Sequence, residues 1–208
     1  MTEQIGQNAS REGARSLLSR LGDLHLTVQR AWDGLPDADR QFFEADMRGK
    51  RSDTIQGLLG EVLGLSLMYR LSEAEPSSFS IYGGTPGQKE PARAGYSLRF
   101  KRSGKNIVIT DRDISSDCEI DNLGLYNGIP IIFESKTGDA TVTWKDVIWQ
   151  RHFVERYFGV QAFFVEIRTE RHRNLEYLGR ERYRATFPLL DEIRAKAISI
   201  ASKEWTVK

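Results

Sequence analysis

Apolar positions recur at helical spacing through Leu17, Leu18, Leu21, Leu24, Val28 and Trp32, which predicts an amphipathic helix from Ser10 onward. Leu-Pro-Asp at 35–37 breaks it, and Pro36 is placed to open a short second helix to about Met47. Ser52 and Asp53 are N-cap types ahead of a third helix to about Leu71. Residues 72–95 are rich in Ser, Gly and Pro and read as a long loop with one short strand at 79–82. The period then switches to two. Tyr96, Leu98 and Phe100 share a face of a strand over 96–102, and a turn at 103–105 leads to a second strand over 106–110. Strands over 117–125 and 129–136 follow, joined by Asn127-Gly128, the strongest short-range hairpin signal. Helical spacing returns over 141–158, with Gly159 as its stop. Residues 160–168 are apolar enough for a strand covered on both faces. A basic loop (171–184) and a last helix (188–203) close the chain.

This order is that of an α/β protein. With 208 residues, the chain suits one domain of about 150 residues plus an addition. We therefore expect an N-terminal helical extension over 1–50 and the main domain over 51–208. A hydrophobic share of 39% against 28% charged argues against wholesale disorder. The single cysteine, Cys118, excludes an internal disulfide framework and a cysteine-based zinc site. No apolar run approaches the roughly 20 residues of a membrane span, and the N-terminus lacks a signal-peptide pattern. The expectation is no membrane contact and a cytoplasmic location (the host cell's cytoplasm, were the chain virus-encoded). Thirty basic residues against 29 acidic leave a net charge of +1, so nucleic-acid binding would need local patches.

Candidate chemistry sits on the Asn127-Gly128 hairpin. If those two residues form the loop, Tyr126 pairs with Ile129, Asp121 lies opposite Glu134, and Glu119 lies opposite Lys136. All four side chains then leave one side of the hairpin. Two opposed carboxylates repel, and a hard divalent cation is the obvious compensation; the Ser135 carbonyl could add an oxygen. Lys136 could orient or deprotonate a water, or stabilise charge on a phosphate. The plainer alternative is a solvated strand face with a Glu119–Lys136 ion pair. Against it, 129–133 is nearly all apolar, which makes the strand central, where charge is costly unless paired or metal-bound. Gly57, Gly60 and Gly64 surround Glu61 on the third helix. Three helical glycines cost about 1 kcal/mol each relative to alanine and make sense if that face packs closely on the sheet, carrying Glu61 in beside Asp121.

Asp121 followed by Glu134-Ser135-Lys136 across a hairpin, with a helix next, resembles the PD-(D/E)XK (restriction-endonuclease-like) nuclease superfamily. The likeness covers somewhat over half the chain and is nearest the branch of archaeal Holliday-junction resolvases and archaeal-virus nucleases. It implies a core of helix, three antiparallel strands, helix and strand, a mixed central sheet flanked by helices. Ile120 stands where the motif has proline, a common departure. Glu61 matches the glutamate which that branch carries on the first core helix. Gln150, or else Arg151, matches the glutamine or basic residue of the following helix. The resemblance implies a divalent-metal-dependent DNA endonuclease with Asp121, Glu134, Lys136, Glu61 and Gln150 catalytic. Glu61, Asp121, Glu134 and Ser135 would hold Mg²⁺ or Mn²⁺, and hydrolysis would be in-line, leaving a 5′-phosphate. A junction-resolvase-like homodimer is implied, with the N-terminal helices as a conjectured interface. Arg99, Lys101, Arg102 and Lys105, and a second run beginning at Arg171 and Arg173 and continuing through Arg180, Arg182 and Arg184, would hold the DNA backbone. Trp144 and Trp149 read as core or partner-contact residues. The alternative function is a nucleic-acid-binding or assembly module of the same fold without turnover.

Overall fold

The computed structural model describes residues 2–101, 104–138 and 140–203. Four helices come first: α1 (Thr2–Ser19), α2 (Val28–Asp33), α3 (Asp37–Met47) and α4 (Ser52–Ala74). The helix predicted to run unbroken from Ser10 through Trp32 is in fact two. A 3-10 turn (Arg20–Asp23) and an extended stretch intervene. Gly22 and Asp23 are poor helix formers, and Thr27 restarts the helix as an N-cap, its hydroxyl accepting from the Arg30 amide at 3.0 Å.

The strands and two further helices follow: β1 (Phe79–Ile81), β2 (Lys89–Arg93), β3 (Tyr96–Lys101), β4 (Asn106–Asp111), β5 (Ser116–Ile120), β6 (Asn122–Tyr126), β7 (Ile129–Thr137), α5 (Trp144–Phe158), β8 (Phe163–Thr169), β9 (Asn174–Tyr177), β10 (Arg182–Phe187) and α6 (Leu190–Ala201). They form a mixed six-stranded sheet, ordered β1-β6-β7-β8-β10-β9, and a four-stranded antiparallel sheet, β2-β3-β4-β5. In the larger sheet β7, β8 and β10 run parallel. The chain is thus an α/β protein with a mixed sheet flanked by helices. Among the described residues no helix is long and apolar enough to cross a membrane. Two stretches expected as loops contain strands: β2 lies within 72–95, and β9 with the start of β10 lies within 171–184.

The hairpin register is as expected. Tyr126 faces Ile129 and the ladder runs to Asn122 opposite Phe133. Asn127 (φ 47°) and Gly128 (φ 82°) both take the left-handed backbone this two-residue turn requires. The strand predicted over 117–125 is broken, however. At Asp121 it leaves the smaller sheet as β5 and enters the larger as β6. Ile120 and Leu123 pack into the same apolar cluster, which one straight strand forbids because positions three apart point to opposite faces. The bend at Asp121 resolves the conflict.

Two apolar cores result. The first lies between one face of the larger sheet (Ile131, Phe133, Val165, Ile167) and α1–α4 with α6. The second lies between the opposite face (Ile132, Phe164), α5 and the smaller sheet. Leu17, Leu18, Leu21 and Phe43 belong to the first core. The N-terminal helices therefore bury their apolar stripe within the chain's own core, and no break in packing marks residue 50.

Candidate active site

The site forms where the two sheets part. Glu134 and Lys136 project from the α5 face of β7, while Ser135 points under α4. Lys136 Nζ donates to Glu134 Oε1 at 2.6 Å, and Gln150 Nε2, from α5, donates to Glu134 Oε2 at 3.0 Å. Glu134 is only 6% exposed. Thr143 and Asp146 fix the start of α5 by a reciprocal capping box, which sets where Gln150 falls two turns later. A cleft of about 270 Å³ opens here, its walls including Glu119, Glu134, Lys136, Asp146, Trp149 and Gln150.

Asp121 occupies the bend beside Glu134. Asn106 Nδ2, on β4, lies 3.5 Å from Asp121 Oδ1. Burial first, then the negative charges of Glu134 and Glu61, push the Asp121 carboxyl up to about 7, with Lys136 opposing. Burial works to lower the Lys136 pKa. The hydrogen bond to Glu134, that carboxylate's charge and the charge of Asp121 outweigh it, and the net shift is upward. Lys136 is therefore an ammonium here, suited to holding charge or a water rather than to abstracting a proton.

The glycines of α4 account for the position of Glu61. A Cβ on Gly60 would stand 2.9 Å from Thr137 Cγ2, and one on Gly64 would stand 2.7 Å from Ser135 Oγ. These two glycines let α4 lie directly on β7. Gly57, expected on the same stripe, faces open space. Glu61 follows Gly60 and is near enough for its charge to act on Asp121.

The structure thus brings Asp121, Glu134, Lys136 and Gln150 together, with Glu61 at the edge. Three expectations change. Asp121 and Glu134 are neighbours but not a ladder pair, because the strand bends one residue early. The Glu119–Lys136 pair does not form; Glu119 instead pairs with Lys101 at 3.3 Å and Lys136 with Glu134. Among the described residues no three His, Cys, Asp or Glu side chains stand close enough together to hold a metal, so Glu61 does not complete a three-carboxylate set. What remains is a pair, Asp121 and Glu134. Magnesium takes one or two carboxylates and fills its shell with water and phosphate oxygens. A carboxyl raised first by burial and then by its acidic neighbours is also the group that a cation relieves. On the same face, Gln150 Oε1 is buried without a hydrogen-bond partner. This donor set fits magnesium or manganese as a two-carboxylate site.

Of the proposed DNA contacts, Arg99 pairs with Asp117 at 3.1 Å and Lys101 with Glu119, so acids of β5 balance both. Lys105 runs along the loop at Gly83, and Arg102 lies outside the described residues. Arg171 is exposed, and Arg173 Nη2 lies 3.4 Å from His25 Nδ1. Sequence reasoning missed Glu166, fully buried and directly beside Glu134 in register on β8. Arg182 Nη2 donates to it at 2.9 Å and Arg184 Nε at 3.2 Å. The signal was present: one acid inside an otherwise apolar strand.

Fold and site together define an α/β protein with an acidic, lysine-bearing cleft at the junction of two sheets. No family model, curated protein or solved structure matches the chain.

Proposed function

We propose that this protein is a divalent-metal-dependent DNA endonuclease with a restriction-endonuclease-like core. One observation carries the proposal. A bend in the chain sets the Asp121 carboxyl beside a Glu134–Lys136–Gln150 cluster, where burial and then the charges of Glu134 and Glu61 raise it to about 7. The element order supports it. α4 is followed by three antiparallel strands (β1, β6, β7), then α5 and the parallel strand β8, with the smaller sheet inserted between β1 and β6.

Asp121 and Glu134 would hold Mg²⁺ or Mn²⁺, with the Ser135 carbonyl as a further oxygen. The ion, when bound, supplies a water of lowered pKa and neutralises charge on the scissile phosphate. Gln150 and Lys136 orient the Glu134 carboxylate from either oxygen. The Lys136 ammonium faces the cleft, where it positions the attacking water and meets charge developing on the phosphate. Glu61 adds negative charge that keeps Asp121 dependent on a cation. A substrate with two strands to cut would call for a homodimer, through a surface other than the buried stripe of the N-terminal helices.

A second reading is a binding module without turnover. It is favoured by the complete pairing of Glu134, whose two oxygens are already taken by Lys136 and Gln150. Plasmid and branched DNA incubated with Mg²⁺, Mn²⁺ or EDTA separate the two. The nuclease cuts at least one substrate with metal and none with EDTA. Binding without metal-dependent cleavage of any substrate leaves the module.

A further inference from the structure

Two tryptophans flank the N-terminal half of α5, and both are open to solvent: Trp144 is 44% exposed and Trp149 41%. Neither is a core residue, which leaves the partner-contact half of the expectation from sequence. Trp149 lines the cleft that holds Glu134 and Lys136, its ring 4.8 Å from that of Phe153. Trp144 lines a second cleft of about 280 Å³ on the other flank of α5, with Ile148, Arg151 and Arg180. Large exposed aromatics with cations around them suit a ligand that has both flat apolar faces and negative charge.

Two cations stand over one of these rings. The guanidinium carbons of Arg180 and Arg182 stand 5.8 and 5.9 Å from the centre of the Trp144 ring. Arg182 is anchored to buried Glu166. Arg180 and Glu181 hold φ of 50° and 59°, a left-handed backbone that is unfavourable for a non-glycine residue. Three arginines keep the turn there. Arg151 Nη1 donates to the Arg180 carbonyl at 2.6 Å, and Arg11 and Arg15 both pair with Glu181. A strained turn held by so many contacts and ending in two guanidinium groups over an exposed indole is a built surface.

We infer that Trp149 in the catalytic cleft and Trp144 under Arg180 and Arg182 are stacking platforms for unpaired bases, so that the substrate carries single-stranded nucleotides beside the bond that is cut. This rests on the nuclease reading and names its substrate class. Paired bases hide their faces in the duplex stack, whereas an unpaired base offers one to each indole, and the arginines meet the phosphates between.

The test is fluorescence anisotropy with a labelled 15-nucleotide single strand and a blunt duplex of the same sequence, with Ca²⁺ in place of Mg²⁺. The wild-type chain is expected to bind the single strand at least ten-fold more tightly. Trp144→Ala should weaken single-strand binding roughly ten-fold and leave duplex binding unchanged. With Mg²⁺ it should raise KM on a flap substrate while kcat stays within two-fold. Trp149→Phe should retain most of the affinity that Trp149→Ala loses, with circular dichroism confirming the fold of each variant. Equal wild-type affinity for single strand and duplex, or unchanged single-strand affinity in Trp144→Ala, overturns the inference and leaves the nuclease reading standing. Binding of neither nucleic acid overturns both. Self-association in the ultracentrifuge that Trp144→Ala abolishes, with nucleic-acid binding unaltered, assigns the surface to a second copy and overturns the inference.

Discussion

The two sheets carry charge in opposite ways. On the smaller sheet, Arg99–Asp117 and Lys101–Glu119 reach from β3 to β5 across β4 on its solvent face. Such pairs contribute about 0–1 kcal/mol each. On the larger sheet, Glu134 and Glu166 stand side by side on adjacent central strands, both buried. Burying a carboxylate costs several kcal/mol unless cations and hydrogen bonds compensate. Glu166 has that compensation in Arg182 and Arg184, and Glu134 has Lys136 and Gln150. Asp121, at the hinge between the sheets, has only an amide at 3.5 Å and the more distant charge of Lys136 to set against burial and repelling acids. Charge on a sheet face is therefore uninformative until burial is known. The informative residue is the half-buried acid whose surroundings do not balance it.

The largest expected effect comes from breaking a balanced acid. Glu166→Ala removes the buried partner of Arg182 and Arg184 and should cost about 3–5 kcal/mol, read as a lower urea midpoint. A change below 1 kcal/mol would show that water reaches the site.

Next comes the unbalanced acid. The Asp121 carboxyl rises from 3.8 to about 7 on folding. The native chain thus keeps a proton that the unfolded chain gives up, and stability falls as pH rises through that window. Asp121→Asn should remove the slope. With chelator present it should be more stable than wild type at pH 8 by about 1–3 kcal/mol, and no more stable at pH 3.5. Parallel pH profiles for variant and wild type would contradict this.

The close approach of α4 gives the third effect. Gly64→Ala drives a methyl into Ser135 Oγ and should cost about 1–2 kcal/mol net. Gly57→Ala meets nothing and should stabilise by up to about 1 kcal/mol. Thermal melts of the two should move in opposite directions. Smallest is Lys101→Ala on the smaller sheet, expected to change stability by less than about 1 kcal/mol; a larger loss would erase the contrast between the sheets.

Local signals in the sequence located most of the fold. Asn127-Gly128 set the hairpin and its register, and Gly159, with φ 73°, ends α5. Regions where two signals conflict were harder to read. β10 alternates Tyr183, Ala185 and Phe187 inward with Arg182 and Arg184 on the other face, but arginines in a strand look like loop until Glu166 is seen beneath them. The bend at Asp121 was legible as a change of phase, Cys118 and Ile120 before it and Leu123 and Leu125 after. It was hidden because the hairpin arithmetic treats a strand as straight. The site was legible as a set of residue types. Its geometry was not, since Glu61 and Gln150 arrive from separate helices whose approach depends on glycine contacts and a capping box.

The most direct test of the central claim is calorimetric titration of Mn²⁺ into the wild-type chain and into Asp121→Asn and Glu134→Gln, at pH 6 and pH 8 in buffers of differing ionisation enthalpy. A cation held by Asp121 and Glu134 must displace the proton that Asp121 keeps near neutrality. Wild type should therefore bind more weakly at pH 6 while releasing a proton, bind more tightly at pH 8 with little release, and lose the site in both variants. Binding that survives both substitutions, or no binding at either pH, would contradict the account.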